Sequence, residues 1–387
     1  MTELRLPASD GTLRSLTLAP PRQFDVNPAV FNRVVFAAAH VVADPLVDND
    51  PWLTPSIDWD RTLAFREHLW SLGLGVAEAM DTAQRGMGLS WERSLELIER
   101  SIAARGSDTS RKIACGAGTD HMTPAPDLTL DDVIAGYEMQ CAAVEKAGGQ
   151  VILMASRALV AIAAGPDDYH RVYERVLSQL RQPAILHWLG EMFDPALAGY
   201  WGHSDHWSAM NTAVEVIERN AGQIDGIKIS LLSAEKEIQM RRRLPAGVRM
   251  YTGDDFNYPE LIEGDSQGHS DALLGIFDAI APAAAGALTA LGEHRDADYR
   301  SIFEPTVPLS RHIFKAPTQF YKTGIVFLAY LNGFQDHFTM IGGQESARST
   351  LHLAEMIRLA AAAGALRDPD FAVARARPVF AARGVEI

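Results

Sequence analysis

The fold this sequence predicts is α/β, a (β/α)8 TIM barrel with an N-terminal β-hairpin and a C-terminal helical extension. Three observations predict it. Eight short apolar runs recur between Val34 and Phe277, each followed by a stretch with helical spacing, which is the strand–helix count of such a barrel. Several of the runs carry no polar alternation, as strands of a parallel sheet buried on both faces do. No G-x-G-x-x-G fingerprint follows the first run, where an open dinucleotide-binding sheet would place one.

In chain order, Leu4-Arg5-Leu6 and Leu13–Leu18 flank Asp10-Gly11 and read as a hairpin with a tight turn, closed off by Pro20-Pro21. The strand runs are Val34–Ala39, Gly75–Met80, Lys112–Gly116, Gln150–Ala155, Ala184–Leu189, Gly226–Ser230, Val248–Thr252 and Ala272–Phe277. Between them lie helical patterns with readable starts. Trp59–Ser71 follows Ser56 and Asp58, Trp91–Ala104 follows Ser90, and Leu130–Ala147 follows Thr129, with Asp131 and Asp132 suiting the dipole of its first turn. Tyr169–Leu180, Ser208–Asn220, Ala234–Arg243 and Pro282–Leu291 complete the alternation. Beyond Leu291 the strand signal stops, and Asp296–Ile302, Lys315–Asn332, Ser346–Ala363 and Pro369–Ala382 read as helices. The expected organisation is an arm over residues 1–30, a barrel over 31–292 and a helical extension over 293–387.

Composition excludes several function classes. Against 35 Lys plus Arg stand 49 Asp plus Glu, so the net charge of −14 and the lack of a basic stripe argue against a nucleic-acid partner. Cys115 and Cys141 are the only cysteines and lie in no metal or disulfide pattern. Met1–Pro20 shows no basic segment leading into an apolar run, and no apolar stretch approaches the ~18 residues of a membrane span. The expectation is a soluble, cytoplasmic protein that acts on a small molecule, without a membrane partner.

In a barrel enzyme the site lies at the C-terminal ends of the strands. Read in order, those ends offer His40, Asp81 to Arg85, Thr119-Asp120-His121, Ser156-Arg157, His187 with Glu191, Lys228, Asp254-Asp255 with Asn257, and Asp278. Lys228 is the informative one, because it stands inside the apolar run Gly226-Ile227-Lys228-Ile229 of a chain with six lysines. Burial there disfavours the ammonium, and a neutral amine attacks carbonyls to form a Schiff base, the electron sink of C–C bond chemistry. A salt-bridged or snorkelling lysine at a strand end fits the spacing equally well.

Pro183-Ala184-Ile185-Leu186-His187-Trp188, then Asp225-Gly226-Ile227-Lys228, then Tyr251-Thr252-Gly253-Asp254-Asp255 is an order that resembles the dihydrodipicolinate synthase/N-acetylneuraminate lyase family of class I aldolases. Cys115-Gly116-Ala117-Gly118, the segment Ala142–Gly149 and the C-terminal helices are similar in outline, over roughly residues 33–363. The resemblance implies that Lys228 carries the Schiff base, that His187 occupies the position of the family's proton-relaying tyrosine, and that the chain is a homodimer or homotetramer needing no cofactor. Histidine suits that relay, since its ordinary pKa of ~6.5 lies near neutrality.

The sequence also departs from the family. Where the family's G-T-T-G-E loop cradles a 2-oxo carboxylate, this chain has Asp81-Thr82-Ala83-Gln84-Arg85-Gly86. An aspartate repels a carboxylate, whereas Asp81, Thr82 and Gln84 suit hydroxyls, and Arg85 remains able to hold an anion. Ala155-Ser156-Arg157 replaces an aromatic turn, so Arg157 reads as a bidentate clamp for carboxylate or phosphate, or else as the partner of Glu191 or Asp254. Asp254 and Asp255 read as substrate-orienting groups or caps of the turn that follows. Together these features predict a Schiff-base lyase or aldolase acting on a hydroxylated keto acid or keto sugar, in carbohydrate catabolism.

Two other readings stay open on residues alone. His203 and His206, three apart, with Asp254-Asp255, are a candidate donor set for a divalent-metal sugar isomerase or aldolase. A barrel that binds a sugar-like ligand without catalysis would also explain the altered loop and the missing tyrosine. The aromatic stripe of Phe320-Tyr321, Phe327, Tyr330 and Phe334 reads as core or subunit contact.

Overall fold

The computed structural model describes residues 3–387, so Met1 and Thr2, where the expected arm begins, lie outside the described residues. Strands β1 (Glu3–Pro7) and β2 (Leu13–Thr17) form an antiparallel hairpin. Strands β3 (Val35–Ala38), β4 (Gly75–Glu78), β5 (Ile113–Ala117), β6 (Gln150–Met154), β7 (Ala184–Leu189), β8 (Ile224–Ser230), β9 (Arg249–Thr252) and β10 (Asp271–Leu274) follow. They pair in parallel, each with the next, and β10 closes on β3 to complete the barrel.

Helices α1 (Trp59–Ser71), α2 (Trp91–Arg105), α3 (Leu130–Ala147), α4 (Arg157–Ile162), α5 (Pro166–Leu177), α6 (His206–Arg219), α7 (Ala234–Arg241), α8 (Tyr258–Glu263), α9 (Ile276–Ala279) and α10 (Ala281–Gly292) lie between and after the strands. Their starts are those the caps announce. Asp58 accepts from Arg61 N, Ser90 from Arg93 N, and Thr129 exchanges bonds with Asp132 in a capping box. Five more helices, α11 (Asp296–Phe303), α12 (Val307–Ile313), α13 (Tyr321–Leu331), α14 (Thr350–Ala363) and α15 (Pro369–Ala381), make up the C-terminal extension.

Strand alternation decides what faces the barrel axis. Phe36, Ala77, Ala114, Ile152, Ile185, Tyr251 and Leu273 meet in one interior cluster. His187 stands two residues after Ile185 and so points the same way. Gly226 lies against the Tyr251 ring, where an added Cβ would come within 2.7 Å, so Gly226, Lys228 and Ser230 also face inward.

The hairpin and the extension join the same hydrophobic core as the helix layer: Leu4 and Leu6 pack in one cluster with Leu288 of α10 and Leu353 of α14. Arg358 of α14 donates to the Leu6 and Pro7 carbonyls. The small residues of α10 allow close approach, since a Cβ on Gly292 would sit 2.0 Å from the Val30 carbonyl oxygen.

The hairpin turn is tight, as expected: Ala8 N donates to the Thr12 carbonyl, and Gly11, at φ +80°, donates its N–H back to the Ala8 carbonyl. Two helices of the extension start later than expected. The helix expected from Lys315 starts at Tyr321, because Pro317 disfavours helical backbone at Ala316 and supplies no N–H. The helix expected from Ser346 starts at Thr350: residues Ile341–Ser346 form a separate turn in which Gly342 and Gly343 take φ near +65°, and Ser349 supplies the cap.

Candidate active site

The loop after β4 is held in an unusual shape. Ala79 and Gln84, neither a glycine, both adopt left-handed backbone, with φ +52° and +64°. A buried ion pair braces the loop from behind: Arg66 Nε and Nη2 bond Glu78 at 2.9 and 2.8 Å, and Glu78 accepts from Ala79 N. At the loop's far end the Gln84 side chain donates to the Ile341 carbonyl at 2.8 Å. The result places Asp81 over the mouth of the barrel.

Lys228 approaches from β8. It is 5% exposed, and its Nζ makes no hydrogen bond or ion pair among the described residues. Its chain runs over Gly253, where a Cβ would lie 2.7 Å from Lys228 Cε, so that position must be glycine for the lysine to lie as it does. Burial lowers the Lys228 pKa below the usual lysine value, against the pull of Asp81 and Asp255.

His187 is register neighbour to Lys228. Its Nε2 lies 3.4 Å from Ser230 Oγ and its Nδ1 has no partner. Burial, then the Lys228 ammonium, holds the imidazole well below its ordinary value, so it is neutral at pH 7. Burial would raise the Asp81 carboxyl, but Lys322, Lys228 and the hydrogen bond from the Tyr321 hydroxyl outweigh it and keep the group ionised. Asp255 goes the other way: burial pushes it up to about 8, and its Oδ1 accepts from Ile276 N.

Two further residues enter from α13. Tyr321 donates its hydroxyl to Asp81 Oδ2 at 2.7 Å and shares a 2.7 Å bond with Thr82 Oγ1. Lys322, 3% exposed, donates to the Gln319 carbonyl and lies 3.5 Å from Met87 Sδ. Neither was singled out from the sequence for chemistry. The available signal was that an apolar, Lys-poor helix carries one lysine next to a tyrosine.

These groups surround a cavity of about 110 Å³ at the C-terminal face of the barrel. Asp81, Arg157, His187 and Lys322 supply polar wall, and Met122, Met154, Leu189, Phe193 and Leu197 supply apolar wall. Lys228 is not on the wall in this conformation; it stands next to His187, which is.

Several expected substrate contacts are not brought to the cavity. Thr82 spends its hydroxyl on Tyr321, and Gln84 is bonded to backbone. Asp254 accepts from Phe256 N, Asn257 N and Asn257 Nδ2, which makes it the cap of the following turn. Asp255 holds α9 in place. Arg85 lines the cavity but is occupied: Nε and Nη2 bond Asp120 at 3.0 and 2.7 Å, and Nη1 bonds the Gly116 carbonyl. Arg157 pairs with neither Glu191 nor Asp254, but with Asp194 at 2.6 Å.

His40 turns into the helix layer, with its ring on Phe65 and its Nδ1 2.7 Å from Asp278. The candidate metal donors also stay apart. His206 sits between Glu191 and Lys236, and among the described residues no three His, Cys, Asp or Glu side chains are grouped to hold a metal ion. Among the same residues, no helix is long and apolar enough to cross a membrane.

The fold is shared with dihydrodipicolinate synthases. The chain superposes on a Pseudomonas aeruginosa protein assigned provisionally as a dihydrodipicolinate synthetase, with TM-score 0.64 and 15% identity over 86% of this chain and 99% of that one. For the enzyme of Bacillus clausii the values are 0.62 and 14%, over 84% and 96%. For the chloride-inhibited enzyme of Acinetobacter baumannii, solved with pyruvate, they are 0.61 and 17%, over 86% and 98%. No curated protein matches the sequence. Over residues 4–385 the chain matches the DUF993 family, described as proteins of unknown function, and it belongs to that family.

Proposed function

We propose that this DUF993-family barrel is a class I carbon–carbon lyase or aldolase, with Lys228 as the Schiff-base lysine. The observation that carries the reading is a strand-borne lysine whose Nζ is unpaired and whose ammonium is disfavoured by burial, flanked by a neutral imidazole and an ionised carboxylate. The fold shared with dihydrodipicolinate synthases supports it, at the level of architecture.

In the cleavage direction, the Lys228 amine adds to the substrate carbonyl, and the adduct takes up a proton from water and loses its hydroxyl as water, giving an iminium ion; hydrolysis later returns that proton. As the C–C bond β to the imine carbon breaks, its electron pair moves into the enamine. The hydroxyl proton of the departing aldehyde passes to neutral His187, which then protonates the enamine carbon. Hydrolysis releases product and the free amine. Asp81, ionised beside Lys228, offsets the iminium charge.

A keto acid fits this cavity better than a keto sugar. Thr82, Gln84 and Asp254, the groups suited to hydroxyls, are bonded within the protein, and methionine, leucine and phenylalanine make up the apolar part of the cavity wall. One hydroxyl, on the carbon whose bond breaks, is what the chemistry requires. Assembly as a homodimer or homotetramer belongs to the same reading, and sedimentation velocity measures it.

The test is borohydride trapping with a panel of 2-oxo acids and keto sugars, followed by peptide mass mapping. An adduct on Lys228, absent in Lys228→Arg, is expected. Failure to trap any candidate in folded protein would remove the reading.

A further inference from the structure

The cavity wall carries three cations whose N–H donors its three carboxylates do not exhaust. Asp81, Asp120 and Asp194 face Arg85, Arg157 and Lys322 there. Asp120 is committed to Arg85 through two bonds. Asp194 takes Arg157 Nε on one oxygen and caps Ala196 N with the other. Asp81 accepts from Tyr321. After these pairings two donors remain.

Arg157 is bonded only through Nε, and its side chain is 45% exposed, so among the described residues its η nitrogens have no protein acceptor and face water where the cavity opens. They lie over Gly86, 3.7 and 3.8 Å from where a Cβ would be. Lys322 is buried beside the next residue, Met87, with one oxygen acceptor for three N–H donors and no carboxylate within 4.0 Å. Burial, the largest influence, depresses its ammonium, and Arg157 acts in the same direction while Asp81 and Asp194 oppose. A buried ammonium with N–H donors left unmet is costly unless an acceptor comes within reach.

At Gly86 and Met87 the loop's backbone supplies no alternative: Ala83 N, Gln84 N, Gly86 N and Met87 N all bond carbonyls of residues 80–89, so these amides are turned inward on the loop's own turns. An anion arriving at Gly86-Met87 therefore meets side-chain cations.

We propose that Lys322 and Arg157 form an anion anchor, which holds a carboxylate or phosphate group of the substrate against Gly86-Met87 while the apolar wall of Met154, Leu189 and Phe193 takes its carbon chain. This names a substrate class for the lyase reading and rests on it: a keto compound with an anionic group and an aliphatic segment, not a polyhydroxylated sugar. Arg157 supplies the planar fork and Lys322 the point charge.

Calorimetric titration of the full chain with butyrate and with propylphosphonate, which share a three-carbon tail, tests the anchor without any imine chemistry. Saturable binding of at least one is expected, and the tighter of the two identifies the anion. Lys322→Met and Arg157→Met should each raise that Kd tenfold or more. Lys322→Arg should keep it within about threefold, since charge is retained. No imine forms in this titration, so the anchor is read out even where borohydride trapping fails. The proposal is overturned if neither anion binds, if both Met variants melt as the wild type yet bind unchanged, or if trapping places the adduct on Lys322.

Discussion

Lys228 and Lys322 are the same side chain in two settings, one on a barrel strand and one on a helix of the C-terminal extension, and Asp81 lies in the electrostatic reach of both. Burial lowers both ammonium groups. The difference lies in what else each one meets. Lys228 is bordered by Asp255, itself neutral below about pH 8, and by the uncharged His187, so its surroundings favour an amine that can attack. Lys322 lines the cavity, where Asp81 and Asp194 favour its charge and Arg157 opposes it. Burial alone thus does not assign a lysine its role; what else faces the group decides.

The two substitutions that most directly break this comparison should have different kinetic signatures. Lys228→Met removes the electron sink, and turnover should fall by about a thousandfold or more, measured on whichever substrate the trapping identifies. Lys322→Met should instead raise KM about tenfold with a small effect on kcat, as loss of uniform binding does. Equal kcat losses in the two variants would mean the lysines share one role.

Tyr321→Phe, which takes the donor from Asp81 and the acceptor from Thr82, should cost about ten- to a hundredfold in kcat, toward the lower end of what a positioned proton donor contributes. Asp81→Asn sharpens the comparison through pH. Ionised Asp81 raises the Lys228 pKa, so its removal should move the midpoint of the trapping-rate profile to lower pH, and a shift upward would refute the assignment of charges.

The smallest effect concerns a buried carboxyl away from the cavity. Burial pushes Glu237 up to about 8, although Ser270 donates to it. Its folded value exceeds the ordinary ~4.3 of an unfolded glutamate, so its contribution to stability is complete below pH ~4 and is lost as pH rises through 8. Between pH 5 and 9, Glu237→Gln should therefore lose less Tm than the wild type, by about 1–3 °C in a thermal melt.

The barrel was legible because its strands are uninterrupted apolar runs and its helices announce themselves with Asp58, Ser90 and Thr129. Lys228 was legible for the same reason: a charge inside such a run stands out. Tyr321 and Lys322 were not, because α13 is buried on every side, and a tyrosine in an all-apolar helix looks like packing whether or not its hydroxyl reaches a carboxylate. Thr82 and Gln84 present the converse case. Their polarity suggested substrate, but the partners that satisfy them, Tyr321 and the Ile341 carbonyl, lie more than two hundred residues away in sequence. Pairings across that separation leave no local pattern.

The loop after β4 and the first turn of α13 make one wall between them, through Asp81 and Thr82 on Tyr321 and Met87 on Lys322. Neither segment can drift alone during descent without leaving a buried partner exposed to loss. Among relatives, positions 81, 82 and 87 should change together with 321 and 322. A barrel acquiring this helical extension by recombination would need a rewritten loop before the join was tolerated, so the ancestry of the extension is written in the barrel.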